Sequence, residues 1–210
     1  PDNKRPEKPN VLLLLMDDLG WQDVKCYDID EPSPFETPNI DKLAKEGVLF
    51  WQAYSPATTC SPSRGAVLSG KHPVRLGRTA VRGGHPPMPY NQRSPFISPW
   101  QKGALDASEM TIAESLQANG YKTGHSGKWH VGVARTDIPL PKQQGFDFSK
   151  HGFGAHKRMK DRTTEFATTD ALDPFQLDED GFPYDDITQD GIDFMSENKN
   201  DPFFLSIALD

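Results

Sequence analysis

Two runs of almost unbroken apolar residues, residues 10–16 (NVLLLLM) and 202–209 (PFFLSIAL), constrain the fold of this chain more than any other feature. Short apolar runs without alternation read as strands covered on both faces. Helix signals recur between them. Residues 37–47 carry Thr37 as N-cap, Pro38 in the first helical position and Gly47 as the stop. Residues 111–120 carry a capping box of Thr111 with Glu114, and Gly120 as C-cap. Residues 62–68 read as a short helix with Pro62 in its first position, and 185–198 as a longer one. Residues 48–54 and 121–126 read as two further strands. Strands alternating with helices specify an α/β fold: a doubly wound, mixed but mostly parallel sheet with helices on both faces.

Composition narrows the class. The chain has 210 residues, enough for a substantial core, and 19 prolines with 17 glycines imply long loops. Residues 71–108 and 134–183 are aperiodic and read as such loops, and no internal repeat is present. The longest apolar run, residues 11–16, is far too short to cross a bilayer. Residues 1–9 are polar and proline-rich, as at a mature N-terminus after processing, with no signal peptide among them. A net charge of −7 argues against general nucleic-acid binding, yet leaves room for an anionic substrate in a local basic pocket. Cys26 reads as a buried free thiol near a strand end, and a disulfide with Cys60 is not expected.

In open parallel sheets, ligands collect at the carboxyl ends of strands. Three chemically loaded segments are expected there. Asp17-Asp18 follows the first strand. Adjacent carboxylates repel, and a hard divalent cation compensates them; a turn in which one Asp caps is the ordinary alternative. Cys60-Ser61-Pro62-Ser63-Arg64 opens a helix, where a thiol is a competent nucleophile or redox group and free amides favour an anion. No cysteine-protease signature accompanies it. Arg64, four residues on, shares the helix face of Cys60. In Gly127-Lys128-Trp129-His130, Lys128 and His130 alternate across Trp129, so an extended chain points them the same way.

The order Asp-Asp, C-S-P-S-R and G-K-W-H-V-G resembles type I, formylglycine-dependent sulfatases of the alkaline phosphatase superfamily. Arylsulfatases, N-acetylgalactosamine-6-sulfatases and bacterial polysaccharide sulfatases are the branches it is similar to. C-x-P-S-R arises by chance at roughly one position in several hundred thousand. The resemblance implies that a maturation enzyme oxidises Cys60 to 3-oxoalanine (formylglycine). Asp17, Asp18 and the modified Cys60 then hold calcium, with magnesium also possible. The hydrated aldehyde attacks sulfur and its second hydroxyl later expels sulfate. Arg64 steadies the diol, Lys128 meets the sulfate, and His130 takes the diol proton, so Lys128 and His130 also bind substrate. Ser63 supports the signature rather than catalysis. The implied activity is hydrolysis of a carbohydrate sulfate ester by a periplasmic or secreted enzyme.

The family completes its site with a second acidic pair and a further lysine and histidine later in the chain. Residues 10–210 are therefore expected to be the N-terminal portion of a catalytic domain, able on their own to bind metal only weakly. Asp185-Asp186 reads as a charge pair at a helix start rather than that second pair. Were the chain free-standing, residues 202–209 would leave an exposed sheet edge. Two other functions fit: a phosphate or phosphonate monoester hydrolase of the same superfamily, or a catalytically incomplete glycan-binding module. For either glycan reading, the basic stretch 151–158 and Arg75, Arg78, Arg82 and Arg93 are candidate rim residues, with Tyr90 and Trp100 available to stack on sugar rings.

Overall fold

The computed structural model describes residues 7–27, 31–81, 102, 104–131, 140–150 and 183–209. Four strands form one sheet: β1 (Val11–Met16), β2 (Lys122–Gly127), β3 (Phe148–Lys150) and β4 (Phe203–Leu209). Their order is β1-β4-β2-β3 and every pairing is parallel. The last strand is therefore central, not an edge. Val11 to Met16 pair in register with Phe204 to Leu209, and Lys122 to Gly127 pair with Phe203 to Ala208. Among the described residues the edge falls on β1 instead, because the chain returns between its first two long strands.

Helices cover both faces, as the alternating pattern requires. On one face, α2 (Cys60–Ser69), α3 (Pro73–Leu76) and α4 (Ile112–Ala118) place Leu68, Leu76 and Ala113 against Phe204, Trp129, Val131 and Phe146. On the other, α5 (Pro183–Glu197) packs Ile187 and Phe194 on Phe203, Leu205 and Ile207. Each large side chain so buried contributes about 1.5–3 kcal/mol. Strand β4, buried on both faces, is the centre of both clusters.

Strand β1 departs from expectation. Val11 and Leu13 face the first cluster, but Leu12, Leu14 and Met16 are 45%, 46% and 36% exposed. In register these three lie beside Leu205, Ile207 and Leu209 on the α5 face. Helix α5 packs over β4 and β2 and leaves that side of β1 open. An unbroken apolar run thus marks a strand covered on one face only among the described residues.

Residues 48–54 do not form a strand. Val48, Phe50, Trp51 and Tyr54 are all exposed, and among the described residues no strand pairs with them, so their β-propensity finds no ladder. They follow α1 (Pro38–Glu46), which starts and stops where Thr37, Pro38 and Gly47 indicate. The signature helix begins at Cys60, after an extended Thr59, rather than at Pro62. Pro62 is thus the third helical residue, where its missing N–H is still one of the unpaired donors of the first turn. Cys26 lies half-buried in a 3₁₀ turn, Lys25–Tyr27, not at a strand end, and neither cysteine forms a disulfide. Arg82, Arg93, Tyr90, Trp100 and the 151–158 stretch lie outside the described residues, as do the side chains of Asp185 and Asp186.

The capping box of α4 forms as read. Thr111 Oγ1 accepts from the Glu114 amide at 3.1 Å, and Glu114 Oε2 accepts from the Thr111 amide at 2.7 Å. The same hydroxyl donates to the Gln144 carbonyl at 2.7 Å, tying α4 to the segment before β3. Thr111→Ala is expected to lower the unfolding free energy by about 1–2 kcal/mol in urea titration, with Thr111→Ser restoring most of it.

Candidate active site

The end of β4 sets the site. Leu209 accepts from the Asp17 amide at 3.2 Å, and Ala208 accepts from the Lys128 amide at 2.9 Å. Two successive carbonyls of the central strand thereby fix the first residues past β1 and β2. Gly127, between β2 and Lys128, has φ +102, and a Cβ there would lie 2.0 Å from the Ala208 carbonyl oxygen. Only glycine lets Lys128 make this close approach. Asp18, with φ +56, then turns the chain away from the sheet.

Asp17 is buried and doubly paired. Its Oδ1 accepts from Arg64 Nη2 at 3.1 Å, and its Oδ2 accepts from Lys128 Nζ. Arg64 Nη1 also donates to the Lys128 carbonyl at 2.5 Å, closing a ring of three residues from β1, α2 and the end of β2. Burial alone pushes the Asp17 carboxyl up, but bonds and charges from Lys128 and Arg64 together hold it below the usual carboxylate value.

Cys60, the first residue of α2, meets Nδ1 of His130 at 3.3 Å through its sulfur. His130 has φ +54, so the GKWH segment is not extended. Lys128 still lies near enough for its charge to act on His130, and Trp129 between them is buried edge-on against His125 and Phe146, with ring centroids 5.2 and 5.7 Å away. Burial first, then the charges of Lys128, Arg64 and Arg78, hold His130 below its ordinary pKa, with Asp17 opposing. The imidazole is therefore neutral near neutral pH and able to accept a proton.

Asp17, Asp18, Cys60, Ser63 and Arg64 line one side of an open cavity of about 630 Å³; residues 53–59 form much of the rest. The Ser63 hydroxyl has the carbonyls of Thr59 (2.8 Å) and Ala57 (3.0 Å) as acceptors for its one proton and so ties down that wall. Among the described residues no group of three or more His, Cys, Asp or Glu is placed to hold a metal. Asp17 and Asp18 offer a hard-oxygen pair of the right chemistry, and a carboxylate whose oxygens each accept one bond keeps lone pairs for a cation. The donor type fits a divalent ion; the number of ligands does not.

Of the candidate rim arginines, Arg75 lies exposed on α3, whereas Arg78 is buried. Its guanidinium bonds Ser61 Oγ, the His130 carbonyl (3.2 Å) and the Val131 carbonyl (3.5 Å). Nothing in the basic loop pattern distinguishes Arg78 from its neighbours, and only the fold brings it under the site.

Residues 9–210 match the family model described as Sulfatase. The chain belongs to the sulfatase family. It is 34% identical to an arylsulfatase of Hemicentrotus pulcherrimus over 96% of the chain and 37% of that protein. It is 41% identical to the N-acetylgalactosamine-6-sulfatase of Homo sapiens over 68% of the chain and 25% of that protein. This sulfatase chain thus spans well under half the length of these relatives. Among solved structures it is similar to Ps i-CgsB in complex with k-i-k-neocarrahexaose, with TM-score 0.67 and 25% identity over 97% of the chain and 45% of that structure. No helix among the described residues is long and apolar enough to cross a membrane.

Asp17→Asn would leave Arg64 and Lys128 without their shared anion, and the expected loss is about 3–5 kcal/mol in denaturant unfolding. The carboxyl is depressed in the folded protein, so its contribution is present above the ordinary aspartate value of 3.8 and lost as pH falls through the folded value. The stability gap between wild type and Asp17→Asn should therefore narrow only below about pH 3.8.

Proposed function

We propose that residues 10–210 form the N-terminal part of the catalytic domain of a formylglycine-dependent sulfatase acting on a carbohydrate sulfate ester. One observation carries this reading. Three cationic side chains, Arg64, Lys128 and Arg78, converge on the Cys60–His130 pair, with Asp17 as the one buried carboxylate among them. Asp18 adds a second carboxylate, but it is exposed. The local excess of positive charge suits an anion, in a chain whose net charge is −7.

An oxygen-bearing residue at position 60 fits this surrounding. Residue 60 lies against His130, whose imidazole is acted on by the charges of Lys128, Arg64 and Arg78, and a cationic surrounding suits an oxyanion. When formed from Cys60, 3-oxoalanine supplies a hydrated aldehyde as nucleophile, which an unmodified thiol does not. The chain's own residues supply the rest. Lys128 faces the developing charge on a sulfate oxygen or the bridging ester oxygen. His130 takes a proton at Nδ1, the atom that now meets the sulfur. Arg64 holds Asp17 and the Lys128 backbone in place, so that the cation and residue 60 keep their separation.

Asp17 and Asp18, with the modified residue 60, would hold calcium, or magnesium, and would polarise the ester and acidify the nucleophile. The remaining ligands would come from parts of the protein outside the described residues. The named sugar sulfatase and the oligosaccharide-bound structure among the similar proteins support a carbohydrate substrate. A maturation enzyme and a periplasmic or secreted setting belong to the same proposal.

The test uses the full-length protein, produced with its maturation enzyme, on 4-nitrophenyl sulfate, 4-nitrophenyl phosphate and sulfated oligosaccharides. Sulfate ester turnover is expected to exceed phosphate turnover, Cys60→Ala should abolish it, and His130→Ala should lower kcat about 100-fold or more. Faster phosphate turnover would favour the phosphohydrolase reading. Oligosaccharide binding that survives Cys60→Ala, with no turnover by the wild type, would favour a binding module.

A further inference from the structure

We infer that Arg78 is a positioning residue of this site, clamping the backbone of His130 in its left-handed conformation so that the imidazole stands against Cys60. The inference deepens the sulfatase reading, and its kinetic arm rests on that reading.

The backbone of His130 is where the site stores strain. A non-glycine residue at φ +54 is uncommon and disfavoured, so its surroundings must over-determine it. Trp129 and Val131 on either side are buried, and the Val131 carbonyl accepts from the Leu105 amide at 2.8 Å. The peptide carbonyl of His130 itself accepts two bonds, from Ser61 Oγ at 2.6 Å and from Arg78 Nη2 at 3.2 Å. Arg78 Nη1 reaches the next carbonyl, that of Val131, at 3.5 Å. Two successive carbonyls and the Ser61 hydroxyl thus share one planar fork.

The fork is itself held. Arg78 follows α3 and Gly77, whose φ is +66, and its amide donates to the Pro73 carbonyl at 3.0 Å. Ser61 is the residue after Cys60, so the same guanidinium grips the residue next to the nucleophile and the backbone of the residue that meets it. One side chain therefore sets both halves of the Cys60–His130 contact.

Stability alone does not account for Arg78. It is 2% exposed and forms no ion pair with a carboxylate among the described residues. Burial lowers its pKa to about 10, so it stays charged at neutral pH at the expense of desolvation. A well-packed apolar side chain would occupy such a position at lower cost. Lysine would keep the charge, but a single ammonium on a flexible stem lacks the rigid fork that spans these acceptors. Position 61 is the variable one in C-x-P-S-R, so Ser61 can be changed without breaking the signature.

The experiment takes the full-length, converted enzyme and its Arg78→Lys, Arg78→Met and Ser61→Ala variants. It reads kcat and KM on 4-nitrophenyl sulfate, thermal stability, and the His130 backbone in crystal structures. For both Arg78 variants kcat should fall about 10–100-fold with KM changed less than about threefold, since displacing a reacting group by about 1 Å costs that much. The His130 φ should leave the left-handed region and its contact with residue 60 should open, while the melting temperature of Arg78→Met holds or rises. Ser61→Ala should lower kcat by a smaller factor, about 3–10-fold, at unchanged KM. Full kcat in Arg78→Lys with His130 unmoved would overturn the inference, because charge alone would then suffice. A raised KM at unchanged kcat would overturn it too, by placing Arg78 on the substrate. If the Arg78 variants do not fold, Ser61→Ala decides, and wild-type kcat with an unmoved His130 there refutes the clamp. If the wild type turns over no sulfate ester, the proposed function fails, and the crystal structures of the variants still decide whether Arg78 holds His130.

Discussion

Asp17 is the joint on which the site depends. Its carboxylate draws Arg64 from α2 and Lys128 from beyond β2 onto the end of β1. Asp17 and Lys128 are themselves set by the Leu209 and Ala208 carbonyls of β4, which accept from their amides. The central strand thus does two things at once: it is the common member of both hydrophobic clusters, and its last two carbonyls space the charged residues. Removing two cations and an anion from water together is tolerable only because each has a partner within the ring. The same ring leaves more positive than negative charge beside Cys60, and that surplus is what an oxyanion would meet.

Much of this was legible in the chain. The apolar run ending in Asp17-Asp18 and the short strand read over residues 121–126 placed two motifs at strand ends, and both strands are present there. The Thr111 and Glu114 capping box and the limits of α1 also followed from local chemistry, since caps depend on neighbours in sequence. The sulfatase resemblance carried by C-S-P-S-R and G-K-W-H agrees with a family match across residues 9–210.

What the sequence concealed depends on tertiary partners. Residues 48–54 have β-forming side chains but no strand beside them among the described residues, so propensity found no ladder. The run in β1 looks doubly covered, yet among the described residues α5 covers β4 and β2 and leaves one face of β1 open. Alternation suggested that Lys128 and His130 point together through an extended chain; His130 is instead left-handed, with Lys128 on Asp17 and His130 against Cys60. Arg78 was one arginine among several in a loop, and only three-dimensional closure showed it beneath Ser61 and His130.

The account stands on position 60 being an oxygen nucleophile inside this cationic ring. Peptide mapping by mass spectrometry of the protein from the cells that naturally make it tests that directly. The account predicts that the peptide containing Cys60 carries the mass of the aldehyde or its hydrate. A Cys60 thiol unchanged throughout the native protein would contradict it, and would leave a sulfatase-family scaffold without the nucleophile its charges are arranged to serve.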